Sequence, residues 1–143
     1  MTTDTRIEWV LRIGVAGAFI GHGVLAVKGN AEWVGWIEKI THVSHPTATT
    51  LLLFAGLFNL ILAMSILVKP IRPLLMWMTF WGFLTAILRL LISLSVWDFI
   101  AVSANWAAPL ALYLRVTALE KMQLAGRPPL GDGYIDTLIK KVK

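Results

Sequence analysis

The sequence contains no cysteine and little charge. The absence of cysteine among its 143 residues excludes disulfide scaffolds, thiol redox chemistry and thiolate sites for zinc or iron–sulfur clusters. Charged residues make up 15% of the chain and apolar residues 57%, whereas a soluble domain has roughly 25% and 45–50%. This balance excludes a disordered chain and an ordinary water-soluble domain. The sequence therefore predicts a small protein that crosses a membrane several times.

Four apolar stretches are each long enough to cross a bilayer as a helix, which takes about 20 residues. They lie at about residues 9–27, 48–68, 74–94 and 99–119. Pro70 and Pro73 favour a tight turn between the second and third stretches, and Asp98 is placed to cap the fourth helix. The first stretch lacks a basic leader and a small-residue cleavage site, so we interpret it as a resident helix. The predicted fold is all-α: one membrane domain over residues 1–143, a four-helix bundle, with a tail at 120–143.

The positive charges are distributed unevenly between the two sides of this predicted bundle. Lys28 and Lys39 fall on the outer side, Arg89 lies within the third span, and ten cations fall on the other side. The ten are Arg6, Arg12, Lys69, Arg72, Arg115, Lys121, Arg127, Lys140, Lys141 and Lys143. Positive residues collect on the cytoplasmic side of a membrane, so both termini are expected there. The net charge of +5 is then an orientation signal, and no nucleic-acid partner is predicted.

Residues 31–45, between the first two spans, are amphipathic. Apolar side chains recur there at intervals of three and four residues, whereas Glu32, Glu38 and Lys39 lie on other faces. The apolar set is Trp33, Trp36, Ile37, Ile40 and Val43. This spacing predicts a helix on the outer surface of the membrane, with its tryptophans among the lipid headgroups. A weaker repeat at 134–143 predicts a tail segment against the inner leaflet.

A few strongly polar side chains lie within the spans, where they are costly to bury and usually face the interior of a bundle. With a rise of about 1.5 Å per residue, His22, Arg89 and Asn105 each lie roughly 6–8 Å outside the midpoint of their helix. Asn59 lies near the midplane of the second helix. Because Pro109 has no N–H, the carbonyl of Asn105 loses its helical partner and is available to Arg89. Three helices thus place polar groups in one layer of the outer half.

The helix faces agree with this layer. Thr85 lies on the same stripe of the third helix as Arg89. Trp81 and Trp106 lie deep enough to line a flat aromatic pocket beside it, and Gly23 would leave space beside the neighbouring imidazole. These residue types favour a ligand site between the first, third and fourth helices.

Structural interpretations compete with a ligand site. Arg89 is close enough to the outer interface to extend its guanidinium into the headgroups. His22 could simply bond a neighbouring carbonyl. Gly17 and Gly21 form a G-x-x-x-G pair, which is more typical of helix packing than of function.

No metal or haem site is predicted. His42 and His45 are three residues apart and could share a zinc or copper ion with a third ligand such as Glu38 or Asp98. Such spacing is common by chance, however. Haem in a bundle needs two axial ligands on facing helices, and His22 is the only histidine within a span.

Three short motifs resemble the DoxX-like family of small four-helix membrane proteins. They are Arg12-Ile-Gly14 followed by Gly21-His-Gly23, Arg72-Pro73 opening a tryptophan-rich helix that ends in Arg89, and Asn105-Trp-Ala-Ala-Pro-Leu-Ala111. The resemblance covers about residues 7–119 and implies a four-helix bundle in the bacterial cytoplasmic membrane. The family is named after a membrane subunit of thiosulfate:quinone oxidoreductase, and some relatives associate with redox proteins.

The resemblance and the polar layer together predict a quinone-linked membrane subunit. Arg89 and Asn105 would donate hydrogen bonds to one quinone carbonyl. His22 would exchange a proton at the other, since imidazole titrates near neutrality. Trp81 or Trp106 would stack on the ring. Electrons would come from a redox partner protein or directly from a substrate.

The alternative hypothesis is a membrane component that is not an enzyme. It could be a small-solute carrier, a lipid or isoprenoid binder, or an assembly partner of a larger complex. The polar layer would then only lock the packing of the helices. Under either hypothesis the expected partners are membrane lipid, a redox protein or larger complex, and further copies of the same chain.

Overall fold

The protein is described by a computed structural model over residues 3–92 and 95–126. Six helices follow one another in this part of the chain: α1 (Thr3–Val27), α2 (Ala31–Thr41), α3 (His45–Val68), α4 (Arg72–Leu91), α5 (Val96–Ala101) and α6 (Ala104–Leu124). Four stretches are long and apolar enough to cross a membrane: Thr5–Val27, His45–Val68, Arg72–Leu91 and Val96–Leu124. The prediction of an all-α bundle with four spans is confirmed. The predicted tail segment at 134–143 lies outside the described residues.

The surface of the bundle is strongly apolar. Phe54, Ile61 and Met64 of α3 are 64%, 62% and 58% exposed, and Phe80 of α4 is 55% exposed. A soluble monomer rarely leaves so continuous an apolar surface uncovered, whereas hydrocarbon chains cover it without cost. The bundle is therefore built to lie in a bilayer.

Neighbouring helices run in alternating directions, so the start of α1 and the end of α6 meet at one end of the bundle. There the Arg115 guanidinium lies 4.0 Å from the Glu8 carboxylate, and Arg72 at the start of α4 lies 2.7 Å from Glu120 of α6. We call this the termini end. The opposite end, called the α2 end, carries the amphipathic helix.

The half of the bundle next to the termini end has a solid apolar core. All four spanning segments contribute to it. Its buried members are Val15, Ala16, Phe19, Leu62, Ala63, Ile66, Leu75, Met78 and Leu112. Close packing of these side chains makes the half next to the termini end the base of the bundle.

Arg12 closes the core at the termini end. Its Nε donates to the carbonyl of Ile66 at 3.0 Å and its Nη2 to the carbonyl of Leu67 at 2.6 Å. These carbonyls belong to the last turn of α3, where the helix itself supplies no donor and the bilayer supplies no water. The guanidinium also lies 4.4 Å from the Trp9 ring centre and 3.5 Å from Glu8. In the sequence, Arg12 counted only as one of the positive charges that indicate membrane orientation. In the structure, its buried side chain caps the last turn of α3.

Two close backbone crossings hold the other half together. A methyl group added at Gly56 of α3 would lie 2.8 Å from the backbone nitrogen of Val27 and 2.9 Å from the carbonyl of Gly23 on α1. One added at Gly82 of α4 would lie 2.5 Å from the carbonyl of Asn105 on α6. Only glycine fits at these two positions without moving a backbone. The crossings therefore join α1 to α3 and α4 to α6.

The predicted packing roles of the α1 glycines are wrong. Methyl groups added at Gly17 and Gly21 would meet nothing within 4 Å, because α1 packs through the side that carries Val15 and Phe19. Gly23, in turn, does not leave space beside the imidazole of the preceding residue. It lies against the backbone of α3 and the side chain of Leu60.

The fourth span is not one continuous helix from 99 to 119, and the third ends at Leu91 rather than 94. Residues 102–103 separate α5 from α6, where Ser103 N bonds Ile100 O over three residues in a tighter turn. Ser95, rather than Asp98, is the N-cap of α5. The Asp98 carboxylate accepts from the Ser95 backbone N–H and completes a capping box. The reciprocal cap starts a separate short helix before the one that crosses the bundle.

Replacing Arg12 tests the cap on α3. Arg12→Met should lower the free energy of unfolding by about 2–4 kcal/mol, since hydrogen bonds from a charged group contribute roughly 1.5–3 kcal/mol and the carbonyls become orphaned. Unfolding by denaturing detergent, followed by circular dichroism, measures the change. Arg6→Met is the control, because Arg6 is exposed on the same helix. Equal stability of the two variants would contradict the cap.

A second pair of variants tests the α1–α3 crossing. Gly56→Ala should destabilise the bundle by about 1–3 kcal/mol, the usual range for overpacking, because the added methyl meets backbone atoms. Gly17→Ala adds the same methyl to open space and should leave the protein as stable or slightly more so. The midpoint of thermal unfolding in lipid nanodiscs separates the two. A similar loss of stability in both variants would show that α1 and α3 do not cross at Gly56.

Candidate functional site

A cavity of about 180 Å³ lies inside the bundle near the α2 end. Its walls come from α1, α3, α4 and the start of α6, and its roof is α2. The roof residues are Trp33, Trp36, Ile37 and Ile40. The cavity therefore lies directly beyond the solid core, within the depth of the bilayer.

Five of the six residues that the sequence placed in the pocket line this cavity. They are His22, Trp81, Thr85, Arg89 and Asn105. The sixth does not belong with them. Trp106 lies in a groove on another side of α4 and α6 with Phe83 and Tyr113, its ring 5.6 Å from that of Phe83. One residue along a helix turns the side chain by about 100°, which takes Trp106 away from the face of Asn105.

His22 joins three of the elements around the cavity. Its Nδ1 lies 2.9 Å from the carbonyl of Ala18, and because a carbonyl can only accept, Nδ1 carries a proton. Nε2 lies 3.3 Å from Nδ2 of Asn105 on α6. The imidazole also stacks on Trp33 of α2, with 5.6 Å between ring centres and 14° between planes. In the neutral ring, Nε2 is thus an acceptor facing an amide N–H.

Arg89 turns toward the cavity rather than away from the bundle. Its guanidinium lies over the ring of Trp36, 5.3 Å from the ring centre, in a cation–π contact. The residue is in the last turn of α4, where the helix dipole favours a positive charge. The predicted bond from Arg89 to the Asn105 carbonyl is wrong. That carbonyl instead lies at the crossing with Gly82.

Asn59 adds a polar group that the sequence placed only at the midplane. It lines the cavity from α3, is 7% exposed, and its Oδ1 is buried without a hydrogen-bond partner among the described residues. A buried polar atom without a partner is costly. The deep wall of the cavity therefore favours a ligand that carries a polar group.

The amphipathic helix α2 is a roof, not a helix with its tryptophans among the headgroups. Trp33 and Trp36 turn toward the cavity, while Val34 packs with Ala26, Ala48 and Leu52 of the neighbouring helices. Lys39 extends across to donate to the carbonyl of Ile92 at 3.3 Å. The helix is therefore attached to α1, α3 and the end of α4. Periodicity revealed its apolar face but could not say that this face would cover protein instead of lipid.

The side between α3 and α4 is the most open wall. These two are the least closely packed of the neighbouring spanning helices. They touch near mid-depth, where the rings of Phe58 and Trp77 are 6.2 Å apart. Toward the α2 end, Trp81 and Ala55 face the cavity from the two sides. The two helices that face each other across this side of the cavity are thus in contact over a short length only.

The two histidines outside the bundle have different surroundings. Nδ1 of His45 lies 2.7 Å from the Glu38 carboxylate, and His42 ends α2 in a left-handed conformation. Within residues 3–92 and 95–126 no group of three histidine or acidic side chains could hold a metal ion. The one close His–Glu contact links α2 to the start of α3.

Comparison of the chain with known protein families, characterised proteins and solved structures gives no match. The resemblance to the DoxX-like family thus stays a prediction from the three sequence motifs. Function has to be inferred from the cavity itself.

The protonation of His22 can be tested directly. We expect ¹⁵N NMR of the labelled imidazole at alkaline pH to show the neutral ring protonated on Nδ1, because that nitrogen bonds the Ala18 carbonyl. Asn105→Leu should keep this tautomer and shift only the Nε2 resonance, which loses its donor. His42, at the surface, serves as the internal reference. A ring protonated on Nε2 would contradict the hydrogen bonds described above.

Proposed function

We propose that this protein is a membrane subunit that binds the ring of an isoprenoid quinone in the cavity at the α2 end. The observation that best supports this is the combination of an apolar cavity within the membrane with His22, Arg89 and Asn105 together on its wall. A ligand that enters from lipid needs an apolar path. A ligand whose ring carries oxygens needs these polar side chains where the ring lies.

The shape of the cavity supports a flat ring. Trp33, Trp36 and Trp81 all face it, and indole rings prefer to stack on flat partners. The cavity volume of about 180 Å³ leaves room for a ring head group. An isoprenoid tail would leave between α3 and α4, past Trp81, where the wall is most open.

The polar groups support a ligand with oxygens on both sides. Asn105 Nδ2 carries two N–H groups, of which His22 uses one, so the other can donate to a ring carbonyl. Arg89 offers further donors on the same wall. At the deep end, Asn59 also lines the cavity.

His22 is the group we assign to proton exchange. A bound quinone supplies two-electron, two-proton chemistry between its carbonyl and hydroxyl forms. Nε2 of His22 would accept a proton from the ring oxygen or return one to it, while Nδ1 stays bonded to the Ala18 carbonyl. The long 3.3 Å contact between Nε2 and Asn105 can be exchanged for a ligand oxygen. A redox partner protein would take or supply the electrons.

We further propose a DoxX-like membership and a place in the bacterial cytoplasmic membrane with both termini in the cytoplasm. The three motifs support the first. The ten cations predicted on one side support the second, since Arg115 and Arg72 do lie at the termini end of the bundle. Expression with reporter fusions at both ends would test the orientation.

The main alternative is an isoprenoid or lipid binder without redox function. It would use the same cavity with a different head group. A purely structural polar layer is less well supported, because Arg89 lies beside the cavity and over an indole ring instead of bonding helix carbonyls.

Binding of a short-tailed naphthoquinone tests the proposal. The purified protein in phosphatidylcholine nanodiscs is titrated with 2-methyl-1,4-naphthoquinone, and quenching of tryptophan fluorescence reports occupancy next to Trp33, Trp36 and Trp81. His22→Asn and Arg89→Gln should each weaken binding about tenfold, the effect of losing one good hydrogen bond in the site. Mass spectrometry of ligands that co-purify from native membranes should identify a quinone.

His42→Asn is the matched control. It removes an exposed histidine near the same end, and asparagine tolerates the left-handed backbone at that position. Its affinity should equal that of the unaltered protein. Unchanged binding in both cavity variants would overturn the proposal, and a co-purified isoprenoid without a quinone ring would favour the alternative.

A further inference from the structure

The cavity carries a single charge. Of the described residues that line it, Arg89 alone is ionised at all ordinary pH values, and no carboxylate lines the wall. Glu38, the nearest acidic residue on the roof helix, is engaged with His45 on the exposed side. Arg89 is therefore the one charged side chain among the described lining residues, and its charge favours a ligand with negative charge.

The hydrogen-bonding capacity of Arg89 is unused within the described part of the chain. Its guanidinium carbon lies over the ring of Trp36, 5.3 Å from the ring centre. A guanidinium carries five N–H donors at its edges, and a cation–π contact leaves those edges available. Arg12, by contrast, uses its edges on the carbonyls of Ile66 and Leu67. Arg12 thus caps a helix end, whereas Arg89 has no hydrogen-bond acceptor among residues 3–92 and 95–126.

The remaining polar groups of the cavity are largely committed. Thr85 donates to the carbonyl of Gly82 at 3.0 Å, and His22 and Asn105 bond each other. None of these groups compensates a positive charge. Because partial burial of an unpaired cation in a membrane is unfavourable, the partner of Arg89 is best supplied by the ligand.

We propose that the cavity binds its ring ligand as an anion, with an ionised ring hydroxyl and the adjacent carbonyl both held by Arg89. This inference rests on the proposed quinone site and specifies the chemical class of its head group. Two neighbouring oxygens match two parallel N–H groups of one guanidinium. Trp36, which lies against the face of Arg89, also lines the cavity and is in position to cover the same ring. Arg89 is then the residue that selects acidic hydroxyquinones, or ionised reduced quinones, over neutral ones.

A matched pair of ligands tests the charge preference. Binding of 2-hydroxy-1,4-naphthoquinone, which is ionised at neutral pH, is compared with that of the neutral 2-methoxy analogue in phosphatidylcholine nanodiscs. Titration of empty nanodiscs corrects for membrane partitioning. The unaltered protein should bind the hydroxy compound about tenfold more tightly or better, as expected for a charge-assisted pair. Arg89→Gln should bring the ratio of the two affinities close to one, because it should weaken binding of the hydroxy compound more than binding of the methoxy compound.

Two further variants make the result specific. Arg89→Lys keeps the charge but loses the paired donors, so it should retain an intermediate preference. Lys28→Gln removes an exposed cation from the turn before α2 and should leave the preference unchanged. Circular dichroism and size-exclusion profiles confirm that each variant is folded.

The outcomes separate this inference from the proposed function. Binding of both compounds with equal affinity, or an equal loss of both in Arg89→Gln, would overturn the anionic ligand and leave the quinone site standing. Binding of neither compound would overturn both proposals. Displacement of the hydroxy compound by added phosphatidylglycerol would show that Arg89 holds a lipid phosphate, and would also overturn the anionic ring.

Discussion

The cavity depends on two places where helix backbones touch. Gly56 allows α3 to meet α1 at Gly23, and Gly82 allows α4 to meet the Asn105 carbonyl of α6. In lipid, apolar side chains gain little by leaving their surroundings, so close contact between small residues is a main source of helix association. At this depth the helices therefore form two close pairs, α1 with α3 and α4 with α6. The cavity lies between the two pairs.

The rest of the site follows from that separation. The two pairs are held together by the solid core at the termini end, and Arg12 satisfies the last carbonyls of α3 there. At the other end α2 covers the opening, attached through Trp33 on His22 and through Lys39 on the carbonyl of Ile92. A solid base, a gap and a roof together enclose an apolar cavity that has a few polar side chains on its wall.

Much of the site could be predicted because depth in a membrane is simple arithmetic. A constant rise per residue places His22 and Asn105 in the same layer, and the structure joins them at 3.3 Å. Direction around a helix was less certain. Trp106 is adjacent to Asn105 but lies in another groove. The sequence placed Asn59 at the right depth. That its Oδ1 has no hydrogen-bond partner among the described residues depends on the side chains of all four spanning segments, so only the tertiary structure shows it.

The amino-acid sequence alone determined the class of the protein, its four spans, the amphipathic helix and the polar layer, because each depends on local composition or on helix periodicity. Tertiary structure decided which glycines touch, that the tryptophans of α2 turn inward, and that Arg12 is a cap while Arg89 lines a cavity. Both arginines lie in apolar helices that span the bundle. What distinguishes them is the set of acceptors that other helices bring within reach, and packing of the whole chain sets those distances.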